Sequence, residues 1–258
     1  IFLLQIIFLS NFVYGEELNF ESEKIKIEDK GNIIIAEGKV KAKTKDNLEI
    51  NSEESEYNKK DLILKLRKKV KINDKNKGII IFANEVIYDQ NKNIIFSKGE
   101  TEINYKNNYK IIGSDFTYDR NLEKISTPNK NQTNDKLGVV LNSSELNFLI
   151  DKNEIRAKKI ILFDEDNNQY KLDYGIVNLN TNEIVAQNAE INLENSIFGN
   201  INNDPRIKGK SLITEKEKTI LYKGIFTSCK KIKNKCPDWS LYADKVTHDK
   251  IKKKIEYK

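Results

Sequence analysis

The chain has 258 residues, a net charge of +6, 38% apolar and 33% charged residues, and a single histidine. That apolar share is below the ~45–50% usual for globular domains, which excludes a thick core and favours a thin sheet with much wetted surface. A lone His248 excludes chemistry that needs several histidines, and the wealth of Ile, Val, Tyr and Phe argues against disorder.

Residues 1–14, IFLLQIIFLSNFVY, are apolar and uncharged. They fall short of the roughly 20 residues that a helix needs to span a bilayer and suit the apolar centre of a secretory signal peptide. The chain contains no methionine, so the basic start of that peptide would precede residue 1. Gly15 before Glu16 marks the cleavage point, giving a signal peptide over 1–15 and one exported domain over 16–258.

From Glu16 onward one unit repeats roughly every 30 residues. Its anchor stands just before a turn, at Ile27, Tyr57, Tyr88, Tyr118, Phe148 and Asn178, then at longer spacing at Thr214 and His248. Polar turns follow: DKGN (29–32), NKKD (58–61), DQNKN (89–93), DRNLEK (119–124), DKNE (151–154), NTNE (180–183), EKEK (215–218) and DKIKKK (249–254). Asp, Asn and Gly favour such turns because they tolerate left-handed backbone or bond their own main chain. After each turn comes an apolar run that alternates with period two, so one face collects Ile34, Ala36, Gly38, Val40 and Ala42. The next runs align as Leu64, Leu66, Lys68, Val70 and Ile72, then Ile95, Ser97, Gly99, Thr101 and Ile103. Strand-turn-strand units stacked in this way give an all-β fold, since no unit can bury its apolar face alone.

Pro128, Pro205 and Pro237 fall outside the proposed strands, as a residue that cannot donate to a ladder should. Thr127–Lys136, TPNKNQTNDK, reads as a long mobile loop. Asp164, Asp166 and Asn168 hint at a calcium loop, but Gln169 stands where the glycine belongs and Gly175 where the bidentate glutamate belongs, so the segment reads as a polar turn. His248 reads as a structural residue beside a turn. No nucleotide-binding fingerprint and no catalytic triad emerge. The aromatics follow strand phase instead of forming a basic stacking platform, so no nucleic-acid partner is expected. Neither a metal nor another cofactor is expected. Cys229 and Cys236 flank a lysine-rich stretch before Trp239. Two thiols with no nearby histidine make a poor zinc site and, in an exported chain, a better disulfide. The pair could bridge locally, or reach partners elsewhere. Trp239 is expected to pack that loop down.

The pattern A/S-x-x-V-x-Y-D followed by A-x-G-x-V, at Ser22–Ala42, Ala83–Ile103 and Ser114–Ile125, resembles the OstA-type repeat of lipopolysaccharide transport proteins. Gly224–Cys229 followed by Trp239–Asp249 is similar to the end of the periplasmic domain in the outer-membrane LptD family. This resemblance implies an open β-jellyroll whose inner apolar groove holds acyl chains, and a non-enzymatic role in lipopolysaccharide assembly on the periplasmic side of the outer membrane. It implies edge-strand addition of an LptA-like bridge protein. It further implies that 225–258 leads into an outer-membrane barrel beyond Lys258, plugged by an LptE-like lipoprotein. In that family the cysteine at the position of Cys229 bonds to the barrel, and Cys236 departs from the simplest form of the pattern. Groove positions would be Ile34, Ala36, Val40, Leu64, Leu66, Val70, Ile72, Ile95 and Ile103, with Lys39 and Lys98 outward. The alternatives are a soluble LptA- or LptC-like carrier and, in a different class, a β-solenoid enzyme or adhesin acting on polysaccharide.

Overall fold

The computed structural model describes residues 18–195, 202–232 and 237–258; the proposed signal peptide and Cys236 lie outside them. The described residues form an all-β chain with a short 3-10 turn at Asp29–Gly31. The strands join in one 20-stranded sheet. Consecutive strands pair antiparallel, as in Leu48–Asn58 with Ile63–Asp74 and Ile63–Asp74 with Ile79–Asp89. Antiparallel pairing runs on to the last strand, Lys254–Tyr257, which excludes the parallel coils of a solenoid.

The turns form where the polar clusters predict them. The residue after the anchor accepts hydrogen bonds from the turn: Asn58 Oδ1 from the Lys60 and Asp61 amides, Asp89 Oδ1 from Lys92, Asp119 Oδ1 from Leu122 and Asp249 Oδ1 from Lys252. A left-handed residue then closes the turn, at Leu62, Asn93, Glu123, Asn153, Asn182 and Lys253. This chemistry corrects one anchor. Asn178 Oδ1 accepts from the Asn180 and Thr181 amides, so Asn178 occupies the position after the anchor. The inward residue is its neighbour Val177, which pairs with Ile184.

Each long strand bends sharply at its middle. In Ile63–Asp74, Lys68 and Lys69 take φ of 63° and 50°, and the register with the next strand slips between Arg67 and Val70. Equivalent corners use Gly38 and Lys39, Gly99, Lys159, Asn188 and Lys223. The bulge keeps Leu64 and Leu66 before the corner, and Val70 and Ile72 after it, on the same inner side. The sheet therefore folds along a line of corners into two leaves that face each other. Lys68 and Gly99, expected on the inner face by strict alternation, are exposed at the corner because the bend interrupts the period there. Ion pairs flank the fold line, among them Lys39–Glu23 at 2.9 Å, Lys69–Glu53 at 2.6 Å and Lys159–Asp173 at 2.8 Å. Exposed pairs of this kind contribute at most about 1 kcal/mol each.

The expected loop at Thr127–Lys136 is a corner plus a strand. Pro128 to Lys130 turn at the same phase as Lys68–Lys69, where no ladder bond is needed. Asn131–Asp135 then pairs with both Tyr109–Ser114 and Val140–Ser143. Polar side chains disguised it. Asn131 and Thr133 are buried, and Asn131 Oδ1 accepts a hydrogen bond from Ser143 Oγ at 2.8 Å. All three prolines lie outside strands.

Candidate functional site

The anchors line up across the first leaf as a cross-strand ladder. Ile34 pairs with Tyr57, Tyr57 with Leu64, Leu64 with Tyr88, Tyr88 with Ile95 and Ile95 with Tyr118. The ladder continues through Ile125, Phe148, Ile155, Val177 and Ile184. It then passes through polar residues, Thr214, Thr219 and His248, before Ile255 on the last strand. A matching row on the second leaf runs Ile50, Ile72, Ile81, Ile103 and Ile111. Of the residues predicted to line a groove, Ala36, Val40, Leu64, Leu66, Val70, Ile72, Ile95 and Ile103 are buried, while Ile34 is half-buried against the same cluster. Lys39 and Lys98 are exposed, as expected. The structure thus brings these positions together on one inner face, which their own side chains fill. Tyr105 of the second leaf meets Phe148 of the first edge-on, with ring centroids 4.8 Å apart.

Opposite the fold line, the turns of the two leaves meet along a seam. Its first stretch is laced by polar contacts that sequence reading missed. Arg120, whose side chain is 8% exposed, donates to Asp46 Oδ2 at 2.5 Å and to Asp74 Oδ2 at 3.0 Å. The Tyr118 hydroxyl donates to the same Asp74 oxygen at 2.9 Å. Burial opposes the Arg120 charge, but the Asp46 hydrogen bond and the Asp74 charge outweigh it and hold the guanidinium above its usual range. Burial, then Asp74, pushes the Tyr118 hydroxyl up, so it remains a donor. Lys77 pairs with Glu123, the Tyr105 hydroxyl donates to Asn153, and the Tyr109 hydroxyl donates to the Leu179 carbonyl at 2.6 Å. The signal available in sequence was faint: Arg120 is one of four arginines in a lysine-rich chain, and a planar fork serves several acceptors where an ammonium does not.

Beyond Leu179, among the described residues, no ion pair joins the two leaves at the seam, and a cleft of about 670 Å³ opens, with Leu162, Tyr170, Val177 and Ile184 among its walls. Asp164, Glu165 and Asp166 form one lip; Glu215, Lys216 and Lys250 stand on the other. Asp164 holds its own turn, accepting from the Asp166 and Asn168 amides and from the Tyr170 hydroxyl. This fits a polar turn and not a calcium loop.

His248, in the polar part of the ladder, is 1% exposed, and neither ring nitrogen has a hydrogen-bond partner. Its sequence reading as a residue flanking a turn was right in place but missed this burial. Burial first, then Lys250, lowers its pKa from the ordinary 6.5, against the pull of Asp164, Asp249 and Asp166. The unfolded chain therefore takes up this proton at a higher pH than the folded chain, and protons favour unfolding. Stability should fall as the pH drops below about 6.5. His248→Leu should flatten that slope and raise the urea midpoint at neutral pH, because it removes two unpaired buried polar atoms.

Near the C-terminal end, the Thr227 hydroxyl donates to the Trp239 carbonyl at 2.7 Å. The Trp239 ring, half-exposed, packs edge-on against Phe226 at 5.8 Å. The Cys229 thiol lies 3.7 Å from the Trp239 carbonyl. The Thr227 hydrogen bond, and then the Trp239 backbone, hold it below the usual thiol range.

Residues 21–134 match the family model described as lipopolysaccharide-assembly, LptC-related. The LptC-related stretch covers less than half of the chain and contains most of the laced part of the seam, with Asp46, Asp74, Lys77, Arg120 and Glu123. The match is to the LptC-related type, not to the LptD type expected from 224–249. Among solved structures, the chain is similar to LptH, the LptA homologous periplasmic component of the lipopolysaccharide transport device of Pseudomonas aeruginosa. Identity is 10%, the match covers 55% of this chain and 82% of that one, and the TM-score is 0.24. A search of curated proteins finds no match.

Proposed function

We propose that the chain is a non-catalytic periplasmic carrier of the LptC or LptA type, which holds the acyl chains of lipopolysaccharide between its two leaves. The observation that carries this reading is the single apolar face running across successive strands and reaching solvent at one lateral cleft. The LptC-related match over 21–134 supports the same reading. Apolar contact is non-directional and contributes ~0.8 kcal/mol per buried CH₂, so a lipid can slide from strand to strand without chemistry. The inner face is filled by its own side chains, so loading requires the leaves to part.

Among the described residues, the sheet has an edge at each end where a partner of the same kind could pair. The first is formed by Asn19–Glu21 and Lys24–Glu28, the last by Lys254–Tyr257. Edge-strand addition of a bridge protein at these edges fits the reading.

A photocrosslinking residue at Leu64 or Ile95 should capture purified lipopolysaccharide, and the same residue at Lys39 or Lys98 should not. Capture only from the lysine positions would sink the carrier reading.

A second reading, the receiving domain of an LptD-type outer-membrane translocon with its LptE-like plug, rests on the segment Gly224–Cys229 and Trp239–Asp249. The gene sequence past Lys258 separates the two readings: a long run of alternating, aromatic-girdled strands favours the translocon. Oxidised and reduced peptide maps would show whether Cys229 pairs with Cys236 or with a cysteine of such a barrel.

A further inference from the structure

We propose that the outer face of the first leaf, over the last strands and the turn at 249–254, docks on the surface of an anionic lipid bilayer. This contact is separate from the carrier reading, and neither depends on the other.

Charge is divided unevenly along the chain. Residues 206–258 hold 16 cationic and 6 anionic residues, a net +10, whereas residues 1–205 hold 29 and 33, a net −4. Of the 16 cations, 15 are lysines. A lysine is a point charge suited to a diffuse anionic surface, where an arginine suits a fixed bidentate partner. Consecutive strands pair from Arg206–Thr214 to Lys254–Tyr257, so the basic stretch of sequence becomes one basic end of the sheet.

The outer face changes character at the same end. Over earlier strands it neutralises itself between neighbours, as in Glu56–Lys65 at 2.9 Å, Glu85–Lys98 at 3.8 Å and Glu145–Lys158 at 3.0 Å. Past Arg156 the outward row becomes Ile176, Val185, Ile213 and Ile220, each paired with the next. Val185 is 51% exposed. The adjacent outward row runs from Tyr222 to Lys245 and then Lys258. Lys245 and Lys258 exchange both backbone hydrogen bonds, so two like charges stand directly opposite each other. Among the described residues neither has an ion-pair partner. Like charges so placed oppose sheet pairing, and the phosphates of a lipid surface would relieve that repulsion. An apolar row edged by tyrosine and lysine is the composition of a membrane interface.

The turn at 249–254 adds an apolar tip. Ile251 is 67% exposed, between Lys250 and the run Lys252–Lys254. Leu122, in the turn at 119–124, is exposed to the same 67%, but its neighbours are Asn121 and Glu123. Acids near the Ile251 tip do not cancel its charge. Asp249 and Glu256 pair with Lys252 and Lys254 and leave Lys250 and Lys253 in excess, while Glu215 and Glu217 of the next turn are matched by Lys216 and Lys218. Ile251 can dip beneath the phosphates while the lysine heads stay level with them.

The test reads the tip directly. In a Cys229→Ser, Cys236→Ser background, Ile251→Cys carries a nitrobenzoxadiazole label, whose emission rises and shifts to the blue in an apolar medium. Leu122→Cys carries the same label as the matched control. Both positions are exposed, so neither change removes packing, and circular dichroism checks that the sheet is intact. With phosphatidylcholine vesicles containing about one-third phosphatidylglycerol, emission at position 251 should rise at least about threefold, and high salt should reverse the rise. Position 122 should stay unchanged, and pure phosphatidylcholine should give no response. Adding Lys245→Glu and Lys258→Glu to the Ile251→Cys protein should abolish most of the rise. An equal response at both positions, an equal response to both vesicles, or none to either would overturn the docking face. A blue shift with polyglutamate but with neither vesicle would assign the face to an acidic protein instead. Lipopolysaccharide capture at Leu64 or Ile95 is read separately, so failure here leaves the carrier reading standing.

Discussion

Arg120→Ala lowers the free energy of unfolding by about 3–5 kcal/mol, the cost of stranding a buried charge. The guanidinium is 8% exposed and its partner Asp74 2%. Removing it leaves the Asp74 carboxylate with the Tyr118 hydroxyl as the remaining donor from the opposite leaf. Arg120 Nη1 also donates to Asn93 Oδ1 at 2.9 Å, so a turn of its own leaf loosens as well. Lysine should rescue little, because a point charge cannot reach three acceptors in a plane. The double substitution Arg120→Met with Asp74→Leu should recover most of the loss, since a buried pair replaced by apolar groups is often neutral. Urea midpoints for the four proteins measure this; a loss below about 1 kcal/mol for Arg120→Ala would mean that the network is solvated.

The same lacing gives an acid limb to stability. Burial, which would raise the Asp46 pKa, is outweighed by hydrogen bonds from Thr44 and Arg120, and the carboxyl lies below its ordinary 3.8. Its contribution is complete above that value and is lost as the pH falls through the folded-state pKa. Asp46→Asn removes this limb, which sits well below the window in which His248 titrates.

Phe148→Ala should cost a further ~3–5 kcal/mol, by transfer and cavity terms together. Phe148 is fully buried at the centre of the first-leaf ladder, between Ile125 and Ile155, and its ring is the edge partner of Tyr105 across the leaves. The cavity would open between two leaves held apart by the neighbouring rungs, so collapse can fill little of it. Phe163 makes the control. It faces outward, 37% exposed, and Phe163→Ala should stay within about 0.5 kcal/mol. Calorimetric or urea-derived stabilities that fail to separate these two phenylalanines would reverse the assignment of inner and outer faces.

The sequence by itself determined the hairpins, their turns and the facing of most strand residues. Those features are local: a turn forms where Asn58, Asp89 or Asp119 can catch its own backbone, and strand side chains alternate whatever lies across from them. Leu64, Leu66, Ile95 and Ile103 were therefore legible as inward before any fold was known. Alternation failed where the chain bends. Gly99 and Lys68 left the inner face, and Asn178 yielded its place to Val177 because a turn-capping side chain mimics an anchor in a one-residue slip. Only the tertiary structure decided the rest. Asn131–Asp135 is a strand because two neighbours offer it ladders and Ser143 satisfies its polar side chain, not because its own residues prefer one. His248 is buried because the ladder carries it inward at the end of its strand. Asp46, Asp74 and Arg120 become a network only when the folded sheet sets turns from opposite leaves against each other, and the cleft exists only where that lacing ends. Period and turn chemistry act over a few residues; the seam depends on how far the whole sheet has twisted, and no local pattern encodes that distance.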